Sequence, residues 1–582
     1  MYACDFETRN EIPASVWHWG YAEIGNIDNW NWGTTLDGFM SWCSGINDTI
    51  YFHNLRHDGN FIIHWLLSNG FTHNTERKHY KNTFKTLISK ENVWYSIEIC
   101  WEDKQSRRVI TKIYDSFKKL PFKLSSIAID LKLPLLKGEI DYNKHRPMGY
   151  EPTQDEIDYL ENDCKILALA MEIQFEEQLT KMTIGSDSLN TYKLLMGNED
   201  KKKGEKKYRK LFPILDTYID KIVRKSYRGG WTYLNPVYAN LTIGDGVVLD
   251  VVSEYPWAMR NNLMPYGTPM FFKGKYKENS TYPLYVQELE CSFELKDNHL
   301  PMIQIKDMPL YFKKNKYLTS SDGLRVRLSL TNIDLQLFLD HYHVIDPDYI
   351  HGFMFKGANG LFDDYIDKFM EEKIKYDDIP SKRLKAKLLL NNLYGKFGSS
   401  IDVTGRVPVL KDNVVKYVIG DEEKGDPQYV AVASFTTAYA RNLIIRRAQK
   451  NYDRFIYCDT DSLHLTGTTI PQNMIDDDVI HKTELGKFSV DDVFIKGKYL
   501  FQKTYMYQKP LCNLYNKQGE RLYHDTSLKI AGAGMTDDVK KNFNFDNFEA
   551  GATVPGSKKG RVVEGGVIIE DKLFTLRERG RI

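Results

Sequence analysis

Apolar and aromatic residues run up to Cys458 in Arg454-Phe-Ile-Tyr-Cys-Asp-Thr-Asp-Ser-Leu-His-Leu465, give way to the carboxylates Asp459 and Asp461, and resume at Leu463 and Leu465. The pattern predicts two short strands joined by a tight acidic turn, because Asp, Thr and Ser form turns and the flanking residues form strands. Val247-Val-Leu-Asp-Val-Val-Ser-Glu-Tyr-Pro256 predicts an apolar strand ending at Asp250, then a turn that carries Tyr255. At the N-terminus Asp5 and Glu7 alternate with apolar neighbours and so share one face of a strand. Tyr159 and Asp163, four residues apart, share one face of a helix. Residues 381–395 predict a helix ended by Gly395, with Arg383, Lys387, Asn391 and Tyr394 in one stripe and Leu384 and Leu388 away from it. Val407, Val409 and Leu410 before the Lys411-Asp-Asn413 turn, with Val414, Val415, Tyr417 and Ile419 after it, predict a β-hairpin within residues 402–424.

A length of 582 residues suits several domains, and 42% hydrophobic with 13% aromatic content marks a globular chain. The formal net charge is +1, so any basic surface must be segregated from acidic surface. The basic run Lys201 to Lys210 predicts a domain boundary. The seven cysteines are scattered, odd in number and free of a Cys-x-x-Cys pair, which points to a reducing compartment and away from a structural zinc site. Neither a signal peptide nor an apolar run near 18 residues is present, so the expectation is a soluble, cytosolic protein with no membrane partner.

The carboxylates carry the candidate chemistry. Asp459 and Asp461 crowd a hairpin tip, and a divalent cation would relieve their repulsion; Mg2+ prefers one or two carboxylates plus phosphate oxygens. Asp250 at a strand end is placed to join Asp459, with Tyr255 against a sugar. Asp5, Glu7, Asp58 and Asp163 form a second candidate cluster, suited to two ions about 3.5–4 Å apart and to phosphodiester hydrolysis, with Tyr159 orienting the water. Aromatic and basic residues interleave over Ile113–Phe122 and Leu136–Tyr142, as a single strand fed by stacking and phosphate contacts requires. The stripe ending in Tyr394 suits a triphosphate and its base. The paired glycines of Tyr227-Arg228-Gly229-Gly230 allow close backbone approach, with Tyr227 and Arg228 placed to meet a phosphate or a base.

These motifs carry a resemblance. Asp250-x2-Ser-x-Tyr-Pro256, Lys387-x3-Asn-x2-Tyr-Gly395 and Tyr457-Cys-Asp-Thr-Asp-Ser462 resemble motifs A, B and C of family B DNA polymerases, and Lys503-Thr-Tyr505 resembles that family's Lys-x-Tyr motif. The acidic motifs at Asp5, Asp58 and Asp163 resemble its proofreading motifs. Chain length, the Tyr227–Gly230 linker and Thr183 to Ser188 narrow this to the protein-primed enzymes of the phage phi-29 type, from residue 1 to about residue 576.

The resemblance implies a DNA-dependent polymerase with a 3′–5′ exonuclease, initiating on a terminal protein and copying processively with strand displacement. The implied fold is α/β and multidomain. A ribonuclease-H-like exonuclease (1–185) is followed by palm (186–302 and 427–530), a first insertion for the terminal protein (303–362), fingers (363–400), a second insertion (401–426) and the thumb with its tail (531–582). The first insertion carries Lys306, Lys313, Lys314 and Lys316. The second would lean on palm or thumb and close a ring around DNA. Asp250, Asp459 and the Val251 carbonyl would bind two Mg2+ ions, with Asp461 nearby and Mn2+ able to substitute. Tyr255 would exclude ribose, Lys373, Lys387, Asn391 and Tyr394 would hold the dNTP, and Lys503 and Tyr505 the primer. In the exonuclease Asp5, Glu7, Asp58 and Asp163 would bind two ions, Glu139 would add a ligand, and Lys137 would assist catalysis. Thr8, His53, Asn54, Phe61, Ser116, Phe117 and Tyr142 would touch the single strand. Partners would be primer-template and single-stranded DNA, dNTPs and the terminal protein, bound by a monomer in the cytoplasm of a bacterial host.

Glu254 and His57 depart from the family pattern, where an apolar residue and an aromatic ring are usual, as does the Arg577–Ile582 tail. Two other readings stand beside this one: a stand-alone nuclease whose remainder only grips DNA, and a non-enzymatic scaffold. The intact Asp250, Lys387 and Asp459 speak against the first, and the presence of every motif carboxylate speaks against the second.

Overall fold

The computed structural model describes residues 1–578 apart from 77, 103–106, 142–143, 307, 314–315, 426, 511–513, 516–520, 523–525 and 533. Tyr142, Lys314 and the end of the C-terminal tail therefore lie outside the described residues.

The N-terminal unit is built on an eight-stranded sheet. Its order is Asn26–Gly33, Ser15–Glu23, Tyr2–Arg9, Thr49–Phe52, Arg108–Asp115, Trp94–Glu102, Thr83–Ile88 and Thr72–His73. Alternation along Tyr2–Arg9 sorts its side chains between two layers. Cys4 and Phe6 join a core with Phe39, Ile62 and Leu66, whereas Ala3 packs on Leu160, Cys164 and Leu167 of helix Gln154–Glu176. Asp5 and Glu7 have the parity of Ala3, so they face that helix, as the sequence pattern requires. Thr153 and Glu156 form a capping box at the helix start.

The central unit holds a five-stranded antiparallel sheet in the order Phe488–Phe494, Gly246–Val251, Ser462–Thr466, Phe455–Asp459, Thr232–Leu234. Behind it lies helix Val430–Lys450, whose run of Ala, Val, Ser and Thr is almost wholly buried. A second sheet orders Met264–Lys273, Tyr342–Ala358, Leu284–Leu295 and Val326–Thr331. The division expected at 302/303 runs through this sheet, two strands lying before it and two after. The division at 530/531 cuts strand Thr526–Gly532 in the same way.

Three local expectations are corrected. The division at 185/186 falls inside helix Ile184–Met196, which Thr183 caps by accepting from the Ser186 amide at 3.2 Å. The basic run is not a boundary but helix Lys201–Leu211, capped by Asp200 and anchored by the buried Tyr208. The helix expected to stop at Gly395 runs from Pro380 to Phe397, because Phe397 is buried against Phe212 and extends the helix to a cap at Gly398. A Cβ at Gly398 would lie 2.6 Å from the Tyr227 ring.

The predicted hairpin forms from Arg406–Lys411 and Val414–Ile419. Asp412 and Asn413 both have positive φ, the geometry of a type I′ turn. A two-stranded hairpin is marginal alone, and this one leans on the N-terminal unit as well as on the thumb, one of the two supports expected. Gly405 bridges Ser89, Arg406 donates to the Lys90 carbonyl at 2.9 Å, and the Tyr417 hydroxyl donates to Asn60 Oδ1 at 2.7 Å. The C-terminal hairpin, Thr553–Val563 with Gly566–Thr575, reaches the same place: Val563, Val567 and Ile568 share one core with Val415 and Phe61. The two tips meet where Val414 bridges Glu564, while the Ala14 amide donates to the Glu564 carbonyl at 2.8 Å.

Gly565 makes this docking possible. Its φ is +85° and an added Cβ would sit 2.0 Å from the Ala14 carbonyl oxygen, a backbone atom with no freedom to yield. Gly565→Ala should therefore undock the C-terminal hairpin at a cost of about 1–3 kcal/mol. Hydrogen exchange checks it: protection of the Ala14 amide should fall, and unchanged protection would refute the contact's importance.

Candidate active sites

In the N-terminal unit the parity of the first strand brings Asp5 and Glu7 opposite Tyr159 and Asp163, one helical turn apart. Asp58 opens helix Asp58–Ser68 and is 3% exposed. Burial, then Asp163, pushes the Asp5 carboxyl up to about 7, and burial, then Asp5, pushes Glu7 up to about 8. Burial also raises Asp58 and Asp163. Lys137 answers the crowding: its ammonium pairs with Asp163 Oδ2 and lies 4.9 Å over the Tyr159 ring. One oxygen each of Asp58 and Asp163 is buried without a hydrogen-bond partner. Such hard, anionic, unsatisfied oxygens fit a hard divalent cation. Among the described residues no three candidate ligands converge closely enough to form a ready site, as expected when like charges must separate. Glu139 is exposed and lies outside the buried cluster.

The expected single-strand contacts divide into two groups. Asn54 and Phe117 are exposed, and Thr8 and His53 are half-buried. Ser116 and Phe61 are fully buried. Ser116 bonds His53 Nδ1 at 3.0 Å and donates to the Phe52 carbonyl at 2.9 Å; Phe61 lies beneath Gly566. Both therefore support the surface and do not line it. His57 bonds Thr8 at 3.2 Å, and burial lowers its pKa to about 4, so it is neutral at ordinary pH.

In the central sheet the register places Ser462 between Asp250 on one neighbouring strand and Asp459 on the other. The turn between strands consists of Thr460, at φ 70°, and Asp461, whose carbonyl accepts from the Val251 amide at 2.9 Å. Asp250 is pushed up to about 7, by burial first and Asp461 second. Lys503 pairs with Asp459 Oδ1 at 2.7 Å, and Thr232, which sequence reasoning missed, donates to the same oxygen at 3.0 Å. Thr232 lies two residues after Gly230 of the glycine linker, and that proximity was the available signal. Tyr505 belongs to a buried aromatic stack with Tyr499 and Tyr507, beside Tyr457.

The stripe of helix Pro380–Phe397 faces this turn. Lys387 and Asn391 are exposed, and the Tyr394 ring lies 4.0 Å from that of Tyr255. Lys373 donates to Ser253 Oγ at 3.3 Å; burial, then Lys387, lowers its pKa. Ser253, at φ 52°, belongs to the Asp250-x2-Ser-x-Tyr-Pro256 motif, but no role was assigned to it from the sequence. Glu254 is buried beneath the acidic turn: it is 3% exposed, both oxygens lack partners, and burial, then Asp461 and Asp250, pushes its carboxyl well above the usual range.

The glycine linker serves the turn. A Cβ at Gly230 would meet the Thr460 side chain at 2.5 Å, and Gly229 is exposed. Arg228 was placed by the sequence to meet a phosphate or a base, whereas its guanidinium is buried towards Asp334 and Arg441. Arg441 pairs with Asp334 at 2.7 Å and donates to the carbonyls of Arg228 and Gly229, both at 2.8 Å.

The model of the family "DNA polymerase type B, organellar and viral" matches residues 43–479. The DNA polymerase of Bacillus phage M2 is 45% identical over 99% of both chains. Phi29 DNA polymerase complexed with primer-template DNA and incoming nucleotides superposes with a TM-score of 0.91 at 43% identity, covering 99% of this chain and 100% of that one. The same polymerase complexed with single-stranded DNA gives 0.91 at 42% identity over the same shares.

Asp5, Glu7 and Asp250 hold protons in the fold that the unfolded chain has already released. Their contribution to stability is therefore full below about pH 4 and lost as pH rises through about 7 to 8. In EDTA, Asp5→Asn with Glu7→Gln should melt above the parent by a gap that widens from pH 6 to pH 9. A gap independent of pH would contradict the crowding.

Proposed function

Because this chain belongs to the DNA polymerases of type B, organellar and viral, we propose that its central sheet extends a primer on a DNA template and that its N-terminal unit removes mispaired 3′ ends. It is a DNA-directed DNA polymerase of family B with exonuclease, palm, fingers and thumb architecture. The observation that carries the reading of the central site is the register that sets Asp250 and Asp459 on either side of Ser462, facing the Lys373 and Lys387 side of the fingers.

In this reading Asp250, Asp459 and the Val251 carbonyl would hold two Mg2+ ions. The chemistry supplied when they are bound is activation of the attacking oxygen and charge relief at the leaving one. Lys503 leaves Asp459 to meet the primer backbone. Lys373 leaves Ser253 and joins Lys387 at the triphosphate, point charges where phosphates lie. The Tyr255 and Tyr394 rings take the sugar and the nascent pair. In the exonuclease Asp5, Glu7, Asp58 and Asp163 would hold the metal, Tyr159 would orient water, and Lys137, paired with Asp163, would assist catalysis. Phe117, His53, Asn54 and Thr8 guide the frayed strand. The bound DNA and nucleotides of the phi29 structures support the substrate classes.

Priming by a terminal protein rests on the sequence resemblance and on relatives that are phage polymerases. Its test is covalent labelling of the cognate protein by dATP on origin DNA, and absence of an adduct across metals would reject it.

The sites should be separable. Asp459→Ala should lower synthesis at least about a hundredfold and leave degradation of single strands intact. Asp5→Ala with Asp163→Ala should do the reverse. Parallel loss of both activities in a variant with native circular dichroism would defeat the two-site reading.

The two docked hairpins support processive, strand-displacing synthesis, since the thumb is tied at its far end to the second insertion. Replacing residues 402–424 by a short Gly-Ser link should leave gap filling of a few nucleotides near normal. Product length on a long primed template, with a DNA trap present, should collapse. Full-length product in the trap would separate the hairpin from processivity.

A further inference from the structure

The face of helix Pro380–Phe397 opposite the proposed triphosphate stripe is also cationic. At 100° per residue, the nine residues from Lys387 to Lys396 amount to half a turn beyond whole turns, so Lys396 points backwards. There it borders a cavity of about 270 Å³ between helices Ile184–Met196 and Lys201–Leu211. Lys181, Lys193 and Lys201 line the same cavity with Lys396, and Ser186 and Asn190 add neutral hydrogen-bonding groups. Glu205 is the single acid of the lining, and it is already engaged, by Lys193 at 2.7 Å and Arg209 at 3.0 Å.

Among the described residues Lys201 and Lys396 form no ion pair, and Lys181 lies near only Asp187, which Lys119 already holds at 2.5 Å. Burial, then Lys193, pushes the Lys396 ammonium below its ordinary range. Like charges gathered in a recess repel one another, and an anion there would offset the cost. The cavity opens onto the helix that carries the basic run Lys201 to Lys210, whose other lysines are exposed. In a chain of net charge +1 this is a strong local segregation of positive charge.

We propose that this recess and the basic helix beside it bind the phosphodiester backbone of single-stranded DNA, as a second phosphate site behind the fingers helix. The proposal rests on the polymerase reading for its ligand class. A lone phosphate would need only the recess, whereas the row of lysines leading from it matches a polyanion. A flexible strand can bend a phosphate into a recess, which a rigid duplex cannot do as easily. Lysines of this kind add affinity without reading sequence.

The test is lysine acylation read by mass spectrometry on the full chain in EDTA, with and without a 20-nucleotide single strand, and separately with pyrophosphate. The oligonucleotide should lower labelling at Lys181, Lys201 and Lys396 several-fold, and pyrophosphate should not. Lys503 reports the polymerase site independently, so its protection with no change at the other three overturns this proposal and spares the polymerase reading. Protection by pyrophosphate alone assigns the recess to a free phosphate and overturns the DNA assignment. As a second measurement, Lys181→Gln, Lys201→Gln and Lys396→Gln combined should reduce the salt slope of single-strand affinity by about 2, at about 0.7 per phosphate contact. Primer extension on a short open template should persist. An unchanged slope in a variant with native circular dichroism also overturns it.

Discussion

Repulsion between carboxylates held out of water is the constraint on which both sites depend. Asp5, Glu7, Asp58 and Asp163 in one unit, and Asp250 and Asp461 in the other, are all pushed up by burial, and Asp5, Glu7, Asp58, Asp250 and Asp461 also by a neighbouring acid. Each cluster has one lysine seated on one of its acids, Lys137 on Asp163 and Lys503 on Asp459. The rest of the local structure serves to hold the acids there regardless. Strand parity aims Asp5 and Glu7 at the long helix, and a left-handed Thr460 folds the acidic turn back on itself. Buried ion pairs stabilise little in net terms, but breaking one leaves an uncompensated charge. The Arg441–Asp334 pair is of that kind, and it fixes the carbonyls of the linker whose Gly230 packs on Thr460.

Much of this was legible in the sequence because the relevant signals are local. Alternation around Asp5 and Glu7, the spacing of Tyr159 and Asp163, and the apolar arms around Asp459 and around Asp412-Asn413 each predicted an element that forms. What failed depends on contacts distant in sequence. Gly395 has the chemistry of a helix stop, yet burial of Phe397 carries the helix two residues past it. Lys201 to Lys210 has the composition of a linker, yet Tyr208 anchors it in the core. Arg228 and Phe61 carry groups suited to nucleic acid but face inward, because Asp334 lies under one and the C-terminal hairpin covers the other. Thr232 and Ser253 acquire their roles only from the register and turn that set them beside Asp459 and Lys373.

The two units are joined by more than covalent sequence. Lys119, in the N-terminal unit, is fully buried and reaches Asp187 in the first turn of helix Ile184–Met196 at 2.5 Å, while Lys385 on the fingers helix pairs with Glu177 at 2.7 Å. The helix bearing Asp187 packs against the one bearing Lys387 and Tyr394. The surface between the two sites is thus held together by these charge pairs.

The meeting of the two hairpin tips has a topological consequence. The palm, the insertion, the N-terminal unit and the C-terminal hairpin form a closed circuit, shut by Glu564 against Ala14 and Val414 and by Asn413 against His64. A linear strand that passes through such a circuit can enter by its end. A covalently closed single-stranded circle has no end, so the polymerase can become linked to it only while those contacts are open. They are few, so if DNA takes the proposed path through the circuit, capture of a circle would be governed by how often this gate parts, independently of the affinity of either active site for DNA.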